Sequence, residues 1–403
     1  MIFLEHLKYD VVIIGAGMIG IATAYELAKQ GAKVAVLERK RLGDSCSVSN
    51  TALVIKSDPE PGKGLELTVE SLRRFPGLSR ELDCDIEYEE ADLISLVSGE
   101  EELPEAYEQI KIYSEAGFDY RMASLEELKA AEPALNTQGF LGAVVSRQAR
   151  INPFNFLYGY YRGAVKNGMH WYPDSEITGF SNSGKYVEIA TKQALFKASK
   201  IVVAAGAWTR DVVSLLGIDL PIHYVHGEAI VTEALPRLAN GIIGELHCTR
   251  VDMENEVCSL AGKNAWYGPG KTMDCFEFVI NQVKNGNVIL GQRSFARPHI
   301  YDGVSEDSFK MIAEAAVRFM PALANASIIR SWVCPVPFTP DHRAFVGPLD
   351  SDERIIISAG YLSTIILTPL MGELVARLAQ DREVAFHLDM FNPNRFLTSR
   401  QTT

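Results

Sequence analysis

Paired cysteines, long apolar runs and an excess of basic charge are all missing from this chain. Its 403 residues hold six cysteines: Cys46, Cys84, Cys248, Cys258, Cys275 and Cys334. No two of them form a C-x-x-C pair, so neither a zinc site nor a thioredoxin-like site is indicated. Scattered thiols of this kind suit a reducing compartment, and the expected location is cytoplasmic. No run of about 18 or more uninterrupted apolar residues occurs, so no membrane span is expected. Glu5 and Asp10 interrupt the apolar start, which does not read as a secretory signal. Lys and Arg total 39 against 51 Asp and Glu, a net charge of −12. That balance argues against nucleic acid as a partner. No repeat or low-complexity tract appears, no metal-ligand spacing, and no obvious catalytic His/Asp constellation.

The strongest positive signal is residues 9–38. Val11 to Ile14 is a β-branched run that reads as a buried parallel strand. Gly15, Ala16, Gly17, Met18, Ile19 and Gly20 then spell G-x-G-x-x-G. A helix is expected from Met18 to Gln30, stopped by Gly31. Lys33 to Leu37 is a second strand ending on Glu38. Gly15 permits the tight turn, Gly17 lets a pyrophosphate approach the backbone, and Gly20 lets helix pack on strand. The helix N-terminus favours a phosphate, and Glu38 suits ribose hydroxyls. Strand, turn, helix and acid together indicate dinucleotide binding but do not separate NAD from FAD.

The hydroxyl-rich segment after Glu38, with Ser45, Ser47, Ser49 and Thr51, suits a phosphate or a flavin edge. Residues 64–83 and 102–116 read as amphipathic helices, with strand-like pieces between them. Leu125 to Ala131 and Phe154 to Asn167 read as helices, and 186–190 with 194–198 as a hairpin. Ile201 to Val203 is a buried strand running into Ala204, Ala205, Gly206, Ala207 and Trp208. The middle third is β-rich, with an Asn285-Gly286 hairpin, and lacks the βαβ rhythm. A helix over 305–319 precedes a proline-rich stretch, Arg330 to Asp341, that leaves no room for a helix. Arg354 to Ser358 is a strand, 359–364 a loop, and Leu370 to Gln380 a helix. His226 is expected to pack at a turn and His342 to lie in a loop near the cofactor domain.

Taken in order, these motifs resemble the D-amino-acid oxidase-like flavoproteins over nearly the whole chain. The branch that looks closest holds glycine oxidase, sarcosine oxidase and the flavin subunits of multimeric amino- or imino-acid dehydrogenases. The resemblance rests on Gly15–Gly20 with Glu38, Ser45–Leu53, Ile151-Asn152-Pro153, Val203–Trp208 and His226-Gly227-Glu228. It continues through Asn285–Gly291, Arg330-Ser331-Trp332, Thr339-Pro340-Asp341 with Gly347-Pro348, and Ala359-Gly360.

It implies an α/β fold: a Rossmann-like FAD-binding domain with an interleaved antiparallel β-rich substrate domain. The FAD-binding domain would comprise residues 1–80, 145–220 and 327–403, and the substrate domain residues 81–144 and 221–326. The cofactor implied is FAD, held without a covalent link. Gly15, Gly17, Met18, Ile19 and Gly20 would meet the pyrophosphate, and Glu38 and Arg39 the adenosine. Ser45, Cys46, Ser47, Thr51, Ala52 and Leu53 would run under the diphosphate and ring. Ile177, or its neighbour Glu176, would touch the adenine, and Ala205 and Gly206 would pass close to the cofactor. Gly360, Tyr361, Leu362, Ser363, Thr364 and Ile365 would line the isoalloxazine.

The implied reaction removes hydride from the α-carbon of an amine, amino acid, imino acid or opine and leaves an imine for hydrolysis. Two departures stand out. Val336 occupies the place of a carboxylate-binding Arg, and Ser363 that of a second Arg. Candidates near the reacting carbon are Tyr361, Ser363 and Thr364, with Lys56 and Arg293 as substitute cations. The departures keep open an FAD-binding subunit that works only with companion chains. A 2-hydroxy-acid dehydrogenase on the same fold is the other alternative.

Overall fold

The computed structural model describes residues 6–44, 46–54, 63–246, 274–295, 303–361 and 364–397. Along the chain run β1 (His6–Ile14), α1 (Met18–Lys29), β2 (Val34–Leu37), β3 (Leu53–Val54), α2 (Lys63–Leu72), α3 (Phe75–Glu81) and β4 (Glu89–Val97). Then come α4 (Leu103–Glu115), β5 (Tyr120–Ala123), α5 (Leu125–Ala131), β6 (Gly142–Arg150), α6 (Pro153–Lys166), β7 (His170–Tyr172), β8 (Ile177–Ser183) and β9 (Tyr186–Thr191). Next are β10 (Leu195–Val203), α7 (Thr209–Ser214), β11 (His223–Ala234), β12 (Ile242–Glu245), β13 (Asp274–Gln282) and β14 (Asn287–Phe295). The chain closes with α8 (Glu306–Phe319), β15 (Ile328–Phe338), β16 (Phe345–Leu349), β17 (Asp352–Ala359) and α9 (Thr364–Leu378).

The first sheet has eight strands, with β16-β17-β10-β1-β2-β7 in order and the β8–β9 hairpin attached through β9. Strands β17, β10, β1, β2 and β7 run parallel. Their β-branched sequences follow from burial on both faces. Val11 and Ile13 face α1, α6 and α9, while Val12 and Ile14 face the β8–β9 hairpin and α7. Strand β10 does two jobs. Leu195–Ala198 pairs with β9, and Ile201–Val203 pairs with β17, while β1 runs along its other side. The hairpin arm and the buried strand expected separately from the sequence are thus one element.

The second sheet has nine strands, ordered β15-β11-β14-β13-β12-β4-β6-β3, with β5 beside β6. Apart from the parallel β12–β4 pair it is antiparallel. Phe278, Ile280 and Leu290 bury one face against Ile312, Ala316 and Phe319 of α8. The sheet draws β3, most of β6 (residues 145–150) and β15 from segments that the sequence reading assigned to the FAD-binding domain.

Local signals account for several element ends. Ser124 and Glu127 close a capping box on α5. Asn152 caps α6 by accepting from Phe154 and Asn155 N–H, and Ser305 caps α8. Gly286, at φ +93°, turns the β13–β14 hairpin.

Three expectations are corrected. The helix read over 64–83 is two helices, with Pro76 in the first turn of α3, where its absent N–H costs nothing. The last helix begins at Thr364 and passes through Pro369, with Thr368 Oγ1 bonding the Thr364 carbonyl. The proline-rich stretch forms no helix, as expected, and is the edge strand β15. Pro335 and Pro337 are two residues apart, so both missing N–H groups fall on the side without a partner. His226 is fully buried in the middle of β11 and does not lie at a turn.

Two stability tests follow. Helices α1 and α9 touch so closely that a Cβ on Gly372 would lie 2.7 Å from Ala22 Cβ and 3.0 Å from its carbonyl carbon. Gly372→Ala is expected to destabilise the fold by about 1–3 kcal/mol, read from the urea midpoint. His223 opens β11, where burial, reinforced by Arg210 and opposed by Asp219, pushes its imidazole down from 6.5 to about 4. The unfolded chain therefore takes up this proton first, and stability is lost as pH falls from about 6.5 to about 4. His223→Gln is expected to flatten that part of the stability–pH profile in urea titrations.

Candidate functional site

The site begins where β1 and β10 end side by side. Gly15 has φ +104°, and a Cβ there would lie 2.5 Å from the Ala204 carbonyl oxygen. A Cβ on Gly20 would strike the Gly15 carbonyl. These two glycines serve the close approach of turn, helix and neighbouring strand. Gly17 differs, because its would-be Cβ meets only a side-chain hydroxyl, Ser47 Oγ at 3.1 Å.

The first helical N–H, on Met18, donates to Ser47 Oγ at 3.0 Å. The polarity of the helix end is thereby relayed to a hydroxyl that lines the cavity. Glu38 accepts from the backbone N–H of Ala16 and of Lys40, both at 2.9 Å. These bonds fix its carboxylate at the end of β2, with acceptor sites to spare for ribose hydroxyls. Beside it the Arg39 guanidinium lies 4.0 Å over the Trp208 ring.

A cavity of about 1040 Å³ runs from this turn to the second sheet. Its size matches a large cofactor together with a small substrate. Gly15, Gly17, Met18, Ile19, Glu38 and Arg39 line it, as do Ile177, Ala205 and Gly206. Cys46, Ser47, Thr51 and Leu53 line it from the hydroxyl-rich loop, and Gly360, Tyr361, Thr364 and Ile365 from the turn into α9. The glycine cradle, the helix end and the ribose-ready carboxylate fit FAD.

Some sequence candidates fall elsewhere. Gly20 and Ala52 are not among the lining residues. Gly20 acts in packing. Ala52 is buried at φ +61°, its N–H held by Asn50 Oδ1 at 2.8 Å, and it shapes the loop from behind. Arg293 is half-buried on β14 and does not line the cavity, whereas its neighbour Gln292 does. Ser45, Lys56, Leu362 and Ser363 lie outside the described residues.

Tyr361 is buried, its hydroxyl 2.9 Å from Ser358 Oγ, and burial raises its phenol well above the ordinary value. It is therefore a neutral hydrogen-bonding group at neutral pH. The Cys46 thiol donates to the Pro335 carbonyl at 3.0 Å, and burial beside Cys334 pushes it up, which keeps it un-ionised. His342 lines the cavity from the loop after β15, at φ +58°.

The second sheet brings Gly227 and Val336, which the motifs had marked, together with residues that no motif singled out: Ala229, Val279, Gln292 and Cys334. Gly227, Ala229, Val279, Gln292, Cys334 and Val336 close the cavity on that side. The pairs 227/229 and 334/336 stand two apart on β11 and β15. Period-two alternation is the signal that would have found them once the strands were known.

A G-x-G-x-x-G turn opening into a cavity between a parallel and an antiparallel sheet defines a dinucleotide-dependent redox protein. The chain matches the DAO family, FAD dependent oxidoreductase, over residues 10–378, and it belongs to that family. FAD is its cofactor and it is an oxidoreductase. It is 26% identical to hydrogen cyanide synthase subunit HcnC of Pseudomonas protegens, over 97% of each chain. It is also 26% identical to sarcosine oxidase subunit beta of Arthrobacter sp, over 81% of this chain and 75% of that one. The crystal structure of glycine oxidase from Geobacillus kaustophilus shares the fold, with a TM-score of 0.84 at 24% identity, covering 98% of this chain and all of the other.

Gly17→Val would place two methyl groups in the phosphate cradle. It is expected to weaken FAD binding about tenfold or more, measured by flavin fluorescence during titration of the apoprotein. Thermal unfolding of the apoprotein should move little.

Proposed function

We propose that this enzyme oxidises a C–N bond of an amino acid, imino acid, opine or other secondary amine to an imine, which water then hydrolyses. The observation that carries this reading is the wall contributed by the second sheet. Its described lining residues, among them Gly227, Ala229, Val279, Gln292, Trp332 and Val336, present no carboxylate and no imidazole. An amine with a free lone pair can lose hydride from its α-carbon without a base on the protein. A 2-hydroxy acid needs a base for its hydroxyl proton. Bound FAD supplies the two-electron acceptor.

The protein's own part is orientation and exclusion of water. Leu53, Val279, Trp332 and Val336 form apolar walls, and the Gln292 amide and Tyr361 hydroxyl offer neutral polar contacts. Val336, where a carboxylate clamp was sought, makes shape and amide contacts the basis of substrate selection. The FAD is held without a covalent link, in keeping with the un-ionised Cys46 thiol.

Companion chains belong to the same proposal. Two of the related proteins are named as subunits, which supports a heteromeric assembly here. Among the described residues no helix is long and apolar enough to cross a membrane.

The test is an anaerobic absorbance scan of the purified flavoprotein against amino acids, secondary amines and 2-hydroxy acids. Bleaching of the visible flavin band by an amine is the expected result, and readmitting air then separates oxidase from dehydrogenase. Bleaching by hydroxy acids alone would overturn the reading. A band that amines bleach only after companion subunits are added would assign the activity to the assembly.

A further inference from the structure

Asn281 is a fully buried polar residue on β13, paired across the ladder with Ile242 and Ile289. Two residues before it, Val279 packs with Ala91 and Ile242, and Leu53 joins them. An amide in such surroundings is costly unless its donors and acceptor are bonded. Its Nδ2 donates to the Thr51 carbonyl at 2.8 Å, and its Oδ1 accepts from Arg150 Nη1 at 3.5 Å.

Arg150 is itself 2% exposed. Its Nη2 pairs with the Glu89 carboxylate and donates to the Asn240 carbonyl at 2.9 Å. Arg237 holds Glu89 from the other side, also at 2.9 Å. A guanidinium can only donate, so Arg150 fixes which end of the Asn281 amide faces it. The NH₂ end is left to face Thr51.

Thr51 belongs to the cavity wall. The next residue, Ala52, is held in a left-handed conformation by Asn50. Leu53 then enters β3, directly opposite Arg150. The loop is therefore shaped from one side by its own asparagine and anchored from the other by an asparagine of the second sheet.

We propose that Asn281 is a positioning residue for the cofactor site. It fixes the Thr51 backbone against the cofactor and ties the loop to the sheet that forms the substrate wall, with Arg150 acting through it. This rests on FAD as the occupant of the cavity.

Asn281→Asp keeps the side-chain shape and gives Arg150 a stronger acceptor, but turns an oxygen toward the Thr51 carbonyl. Asn281→Leu keeps the volume and removes both bonds. Titration of each apoprotein with FAD, followed by flavin fluorescence and by the visible spectrum, is expected to show affinity weakened about tenfold and a displaced visible band. The apoprotein of Asn281→Asp should remain folded, with a single cooperative thermal transition below the parent's. With an amine substrate, the reloaded variants should lose kcat more than they gain in KM.

Affinity and spectrum equal to the parent's in both variants would overturn the proposal. So would failure of both to fold, which would make Asn281 a packing residue. A parent protein that binds no FAD would sink the cofactor assignment instead.

Discussion

The contact on which the rest depends is the one between the ends of β1 and β10. The Gly15 turn presses on the Ala204 carbonyl so closely that no side chain fits between them. Two parallel strands can end this tightly only where one supplies a glycine and the other small residues, as Ala204, Ala205 and Gly206 do. The consequence is a shallow cradle of backbone at the carboxyl end of the sheet. Helix α1 starts there, β2 delivers Glu38 beside it, and β17 delivers Gly360 from the other side of β10. The start of α1, Glu38 and Gly360 meet at the cavity around this one approach.

The second sheet answers a different requirement. It must present a wall to the cofactor without breaking its own ladder, and it does so by alternation. One face packs on α8 through Phe278, Ile280 and Leu290. The opposite face offers small, apolar and amide groups to the cavity. The loop at residues 46–54 joins the two sheets, since it starts behind the phosphate cradle and ends as the edge strand β3. Arg150 sits beside that edge on β6, and the buried Asn281 amide reaches the Thr51 carbonyl just before it from β13. Buried charge of this kind is weak support for stability and better understood as fixing one arrangement among several.

Much of this was legible in the sequence. The turn at Gly15–Gly20 is spelled locally, because each glycine answers a local steric demand. The Asn285-Gly286 hairpin and the capped helices α5, α6 and α8 were legible for the same reason. The order of loose motifs was enough to indicate the family. What escaped depends on tertiary partners. Pro335 and Pro337 weaken any local case for a strand, and β15 exists because β11 pairs with its one free side. Arg293 was chosen as a cation near the substrate, yet the register of β14 gives the cavity its neighbour Gln292. Asn281 carries no motif at all. Its role depends on Arg150, 131 residues away, and on Thr51, 230 residues away.

Charge is distributed unequally about the cavity. The guanidinium groups among its described lining residues are those of Arg39 and Arg343. Arg39 lies with Trp208 at the Glu38 end, and Arg343 comes from the loop between β15 and β16. The wall from the second sheet turns neutral groups inward. A dinucleotide brings two phosphates and needs the cationic and dipolar side, whereas a neutral amine losing hydride gains most from a dry, shaped wall. The residue at the place where a bidentate carboxylate clamp was sought is Val336, on the neutral wall. On the proposed reading, substrate choice rests on the shape of that wall and on the Gln292 amide, with the Tyr361 hydroxyl facing in from the turn into α9.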